Sequence, residues 1–205
     1  MVINIMFKLT MYIFIYLLLS GCQPEQYNGP VAEKISHRGY DENKINGFIE
    51  AINDGYSILE ADVRLRNNTP TLLHDDKACS DCSTLSELLE LAQNKGIILF
   101  LEFKEFKAIA PSLELISRYT VDVVLTSFNI EHLIYLNANT NYSLGFITNE
   151  HYNLEELPAI DYLIINYQHI NKCAEKITCV AWGVKSKKQF NKVKYKVPYV
   201  ITERF

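Results

Sequence analysis

Short apolar, β-branched runs alternate along this chain with segments whose apolar residues recur every three or four positions, the marks of strand and helix taken in turn. The strand-like runs end at Ile35 and cover residues 57–59, 97–103, 121–126, 142–147, 162–166, 178–184 and 199–202. Between the first two, Ile45, Phe48, Ile49 and Ile52 share one helical face over 43–54, and Gly55 stops it. Thr84, with Glu87 three residues on, opens a second helix that ends near Gly96. A third helix follows the 97–103 strand to about Tyr119, and helical segments separate most of the later strands. A polar turn, Arg66-Asn67-Asn68, leads from the second strand into another at 71–74. Strand and helix in alternation predict a parallel sheet in an α/β fold.

Polar chemistry sits where the apolar runs stop. Ile35 leads into His37-Arg38-Gly39, residues 57–59 into Glu60-Ala61-Asp62, 71–73 into His74-Asp75, and 97–101 into Glu102-Phe103-Lys104. Residues two apart on a strand point to the same face, so Glu60 converges with Asp62 and Glu102 with Lys104. Strands this apolar are covered on both faces. Three carboxylates, two imidazoles, a guanidinium and an ammonium at such strand ends are costly to bury unless a metal and an anion neutralise them. That set points to phosphate chemistry. Functional groups at the C-terminal ends of repeated βα strands also fit a (β/α)8 barrel, a TIM barrel, whose sites open on that face.

These residues carry a resemblance. The order His37-Arg38-Gly39, Glu42-Asn43, Glu60-Ala61-Asp62 and His74-Asp75 resembles the HRG, EN, ExD and HD pattern of the glycerophosphodiester phosphodiesterase family. Glu102-Phe103-Lys104, Ser127-Phe128, Trp182 and the closing Ile-Thr-Glu-Arg of 201–204 match its later pieces, so the likeness runs through most of the chain after residue 34. It implies a phosphoric diester hydrolase in which His37 and His74 divide acid and base work. Glu60, Asp62 and Glu102 would hold a divalent cation, Ca²⁺ or Mg²⁺, and Arg38 and Lys104 the phosphate. Trp182 would line the substrate pocket, with Glu42 and Asn43 supporting from behind. Ser127-Phe128 is expected to form a structural turn, and His132, His151 and His169 are set aside as incidental.

Two departures bear on substrate and size. Many members carry an inserted segment between HD and the next helix, whereas here His74-Asp75 reaches the Thr84 helix almost at once. Such an open site suits a glycerophosphodiester, a lysolipid or a glycerophosphoryl polymer. A phospholipase D-like lyase that leaves a cyclic phosphate, and a headgroup-binding protein without turnover, are the competing readings. Residues 34–205 fall well below the roughly 250 residues typical of this barrel. Short loops, helices cut to single turns and a missing closing helix are therefore expected.

The first thirty residues differ in kind. Lys8 precedes an apolar stretch over 9–19 and then Leu19-Ser20-Gly21-Cys22. The stretch is shorter than the roughly 20 residues that span a bilayer and reads as a secretory leader over 1–21. Its end resembles a lipobox, which implies lipid attachment at Cys22, a tether over 22–33 and an exported, membrane-anchored lipoprotein, periplasmic or at the cell surface. Of five cysteines, Cys79, Cys82, Cys173 and Cys179 form an even set suited to disulfides. Local pairing is the simplest of three connectivities. A net charge of −4 disfavours nucleic acid as a partner. The one basic run, Lys185, Lys187, Lys188, Lys192, Lys194 and Lys196, reads as the wet face of a late helix.

Overall fold

A computed structural model of the chain describes residue 27 and residues 29–149, 152–173 and 177–205. The leader, Cys22 and residues 23–26 and 28 of the tether lie outside the described residues. No helix among those described is long and apolar enough to cross a membrane.

Eight parallel strands close on themselves: β1 (Glu33–His37), β2 (Ile58–Arg66), β4 (Ile98–Phe103), β5 (Val123–Ser127), β6 (Ser143–Thr148), β7 (Tyr162–Asn166), β8 (Thr178–Val184) and β9 (Tyr199–Thr202). β9 pairs with β1, and β1 with β2, so no barrel edge is left open. The strand read at 71–74 is β3 (Thr69–Leu72), which lies antiparallel on β2 outside the barrel. Asn67 and Asn68, at φ 49 and 62, make the left-handed turn that such a hairpin favours. β3 stops at Leu72, so His74 stands in the loop beyond it.

The helices are α1 (Ile45–Asn53), α2 (Leu85–Lys95), α3 (Ile109–Ile116), α4 (Ile130–Asn139) and α5 (Lys187–Val193). The Thr84 cap forms as the sequence indicates: its hydroxyl accepts from the Glu87 amide while the Glu87 carboxylate accepts from the Thr84 amide. Gly96, at φ 65, ends that helix. The connections after β6 and β7 hold only the 3-10 turns Leu154–Glu156 and Tyr167–Lys172, and no helix follows β9 among the described residues. The trimmed (β/α)8 barrel is thus present. α5 buries Phe190 and Val193 and leaves Lys187, Lys188 and Lys192 exposed.

Strand alternation sorts the core into two apolar bodies. Ile35, Ile58, Phe100, Val124, Ile147, Ile164, Val180 and Ile201, one from each barrel strand, fill the interior. Their neighbours Leu59, Ala61, Leu99, Leu101 and Leu125 face outward onto Phe48, Leu88, Ile109 and Leu133 of the helices. Below, Tyr162 packs edge-on against Phe100 at 5.4 Å and faces Tyr199 at 6.4 Å. Gly145 makes room there, since a Cβ would stand 3.1 Å from Ile164 and 3.4 Å from the Tyr162 Cβ. Counting upward by two from Ile35, Ile58 and Phe100 reaches His37, Glu60 with Asp62, and Glu102 with Lys104. The charged groups therefore form the top of the interior column.

Candidate active site

Barrel register places these groups side by side. His37 is level with Glu60 across β1–β2, and Asp62 with Glu102 across β2–β4. All three carboxylates are buried, and each offers an oxygen within 4.8 Å of the others. Burial is the main cause that pushes the Glu60 pKa up, and the charge of Asp62 adds to it. Burial and the same Asp62 charge raise Glu102, partly offset by the Lys104 ammonium.

Two cations answer the acids. Lys104 Nζ donates to Glu102 Oε1 and stands 3.6 Å from Asp62 Oδ1. Arg38 Nε lies 2.9 Å from Asp62 Oδ2, close enough for ion pairing but without the alignment of a hydrogen bond. The other Asp62 oxygen, Oδ1, is buried and accepts no hydrogen bond. Asp62 is otherwise clamped by Asn43, whose Nδ2 donates to Oδ2 at 2.9 Å and whose Oδ1 accepts from the Asp62 amide at 3.0 Å. Glu42 accepts from Arg38 Nη1 at 3.2 Å. Asn43 is thus buried beneath the charged layer, whereas Glu42 is exposed and lines the cavity instead of standing behind it.

The loop carrying them is strained. Arg38, Glu42 and Asn43 take φ values of 55, 34 and 69, a region that side chains with a Cβ rarely occupy. The Arg38 amide donates to the Glu60 carbonyl at 3.0 Å, and the Asn43 amide to the Arg38 carbonyl at 2.8 Å. Gly39 lets the loop touch the first turn of α1, where a Cβ would come 2.8 Å from the Phe48 amide nitrogen.

Each candidate imidazole has a carboxylate partner. His74 Nδ1 is 2.8 Å from Asp75 Oδ1. His37 Nδ1 is 2.8 Å from Glu203 Oε1, and its Nε2 is 3.8 Å from Glu60 Oε2. Burial alone would lower the His37 pKa, but the Glu203 bond and the Glu60 charge outweigh it and the net shift is upward. Glu203 was not among the expected site residues. Its only signal in the sequence is its place in the final Ile-Thr-Glu-Arg run.

His37, His74, Arg38, Glu60, Glu102 and Lys104 line one cavity of about 340 Å³ at the C-terminal mouth of the barrel. Ile147, Ile164 and Ile201 floor it. Trp182 lines one side, its indole held by a bond to the Thr148 carbonyl at 2.9 Å. Phe128 meets Trp182 edge-on at 5.7 Å and also lines the cavity, so it is more than the structural turn residue expected. Ser127 does serve the turn: its hydroxyl bonds His132 Nδ1 at 2.9 Å and accepts from the Asn129 amide. His132, expected to be incidental, is a buried partner in that turn. His151 lies outside the described residues. Cys79–Cys82 and Cys173–Cys179 are disulfides, the local pairing.

No family model matches the chain, and no curated protein sequence does. Solved structures share its fold. A protein assigned as a glycerophosphoryl diester phosphodiesterase in Silicibacter pomeroyi superposes with a TM-score of 0.74 at 14% identity, over 86% of this chain and 91% of that one. A glycerophosphoryl diester phosphodiesterase from Parabacteroides distasonis gives 0.62 at 13%, over 86% and 85%. A Ca²⁺-dependent phosphatidylinositol-specific phospholipase C from Streptomyces antibioticus gives 0.60 at 10%, over 86% and 94%.

Proposed function

We propose that this protein cleaves phosphodiesters, with His37 and His74 moving the protons and Glu60, Asp62 and Glu102 holding a divalent cation. The observation that carries the reading is the convergence of both imidazoles, the Glu60 and Glu102 carboxylates and two cations on one cavity, with the buried Asp62 carboxylate within 4.8 Å of both acids. The fold likeness to diester phosphodiesterases supports it from outside.

The acidic residues suit a hard cation. Every donor is an oxygen, and the unbonded, buried Asp62 Oδ1 is an acceptor that the protein itself leaves open. Ca²⁺ and Mg²⁺ are the cations this chemistry favours. Such an ion, when bound, polarises a phosphoryl oxygen and lowers the pKa of a nearby hydroxyl.

The chain's own groups account for the rest. Glu203 and Asp75 each hold the Nδ1 side of an imidazole, which fixes the ring and leaves Nε2 as the working atom. One imidazole accepts the proton of an attacking hydroxyl as its oxygen bonds phosphorus. The other gives a proton to the alcohol oxygen as its bond to phosphorus breaks. With water as the attacker, diester and water become monoester and alcohol. With a neighbouring hydroxyl of the substrate, a cyclic phosphate and alcohol form, and water then opens the ring. Arg38 and Lys104 hold the phosphate oxygens.

Export belongs to the same reading. The leader-like 1–21 segment, Cys22 and two disulfides support an oxidising, membrane-anchored setting.

The test is ³¹P NMR of the full chain with glycerophosphodiesters and lysophospholipids, in Ca²⁺, in Mg²⁺ and in chelator. Metal-dependent cleavage is expected, and the product separates hydrolysis from cyclisation. Glu60→Gln and His37→Ala should each abolish turnover with the circular dichroism unchanged. Undiminished activity in either variant refutes the assignment.

A further inference from the structure

A second cavity, of about 660 Å³, opens beside the first, and the chemistry above places no part of the substrate in it. Its size lies within the range of about 300–1,000 Å³ common to small-molecule sites. Arg38, Glu42 and His74 line both cavities, so the two meet at the reacting groups. One wall is the loop at the start of α1, and the other is the loop closed by the Cys79–Cys82 disulfide. Lys44 joins the walls: its ammonium bonds the Asp81 carbonyl at 2.6 Å and the Asp81 carboxylate at 2.8 Å. A second tie runs from the Ile45 amide to the Ser83 hydroxyl at 3.0 Å. The cleft is therefore built from both sides.

Its chemistry is polar and balanced. Three cations line it, Arg38, Lys44 and Lys77, and three acids, Glu42, Asp75 and Asp81. They pair within the wall: Arg38 with Glu42 at 3.2 Å, Lys44 with Asp81, and Lys77 with Asp75 at 3.4 Å. No net charge is left to attract an ionic group. The apolar lining is confined to Leu72, Leu73, Ala78 and the disulfide, too little to bury an acyl chain. What remains is a wall dense in donors and acceptors, which suits a neutral, hydroxyl-rich group.

Resting on the phosphodiesterase reading, we infer that this cleft binds the leaving alcohol of the diester, and that this alcohol is a neutral polyol or sugar. The phosphoryl group sits in the first cavity, and the leaving arm passes Arg38 and His74 into the second. The disulfide loop then acts as a specificity element, and the substrate is larger than a phosphate with two small arms.

Binding to the full chain, measured by calorimetry in chelator, tests this independently of turnover. The probes share a glycerol arm and differ in the other, which is a cyclitol polyol in glycerophosphoinositol and a methyl group in methyl glycerophosphate. The wild type should bind the polyol diester at least tenfold more tightly. Ser80→Trp and, separately, Ala78→Trp place bulk in the cleft at exposed positions away from the reacting groups. Each should lower affinity for the polyol diester about tenfold and leave methyl glycerophosphate within twofold. Equal affinity of the wild type for both probes, or an unchanged preference in folded forms of both variants, overturns the inference. Selective binding without cleavage under any metal would instead sink the catalytic reading and leave the cleft standing.

Discussion

Replacing Asn43 isolates the support under the charged layer. The residue is buried, its side chain makes both contacts with Asp62, and its backbone sits at φ 69. Asn43→Ala removes a hydrogen bond to a charged carboxylate, worth about 1.5–3 kcal/mol, and strands the Asp62 amide at a cost of about 1–3 kcal/mol. Alanine in the left-handed region adds about 1–2 kcal/mol. These terms overlap because they share one side chain, so we expect a total near the low end of their summed range, about 4 kcal/mol. That is a large part of the roughly 5–15 kcal/mol that holds a domain folded. Asn43→Gly loses the same bonds without the backbone strain and should be milder by about 1 kcal/mol. Asn43→Asp keeps an acceptor for the Asp62 amide but turns a second carboxylate towards Asp62 Oδ2. Its penalty should therefore shrink as pH falls and the new acid is protonated. Urea unfolding in chelator, followed by the fluorescence of Trp182, measures all three, since this is the chain's one tryptophan. An Asn43→Ala protein within 1 kcal/mol of wild type, or equal losses for alanine and glycine, would refute this account of the loop.

Glu203→Gln should move the pH–rate limb set by His37 to lower pH, because burial already opposes the imidazolium and Glu203 outweighs it. The pair also carries a stability signature. The folded pKa of His37 is raised above 6.5, and the His37 hydrogen bond holds that of Glu203 below 4.5. Stabilisation by the pair is then fullest between those values, lost as pH rises through the His37 pKa and as it falls through that of Glu203. Thermal unfolding across pH should show the wild type's advantage over Glu203→Gln peaking there; a constant difference would count against it. Metal binding should release protons at neutral pH, because burial and the charge of Asp62 raise the Glu60 pKa. Calorimetric enthalpies of Ca²⁺ binding should thus differ between buffers of different ionisation enthalpy, and identical enthalpies would exclude proton release. Without metal, stability should fall as pH climbs above 4.5 through the Glu60 pKa, a slope that saturating metal removes. Gly39→Ala meets both a positive φ and backbone atoms 2.8 Å away, so a loss above about 2 kcal/mol in urea unfolding is expected.

What the sequence makes legible follows from strand parity. Ile58, Glu60 and Asp62 must share a face, as must Phe100, Glu102 and Lys104, and that alone stacks a charged layer on an apolar one. The residues it hides are those whose neighbours arrive through closure of the barrel or through backbone twist. Glu203 reaches His37 only because β9 pairs with β1, across a separation of 166 residues. Nothing local to Thr202 or Arg204 announces that contact. Phe128 reads as a turn residue because it follows Ser127, which does hold the turn; only the position of Trp182 on β8 turns its ring into a wall. His132 looked isolated because its partner lies in the preceding turn, five residues away and off the helical face. Asn43 looked like the first residue of a helix that in fact starts at Ile45, and its left-handed backbone is what turns the amide back onto Asp62. The carboxylates could be read from a strand's repeat of two. The groups that tune and hold them depend on where the strands end and how the ring closes, and a one-dimensional pattern does not carry that.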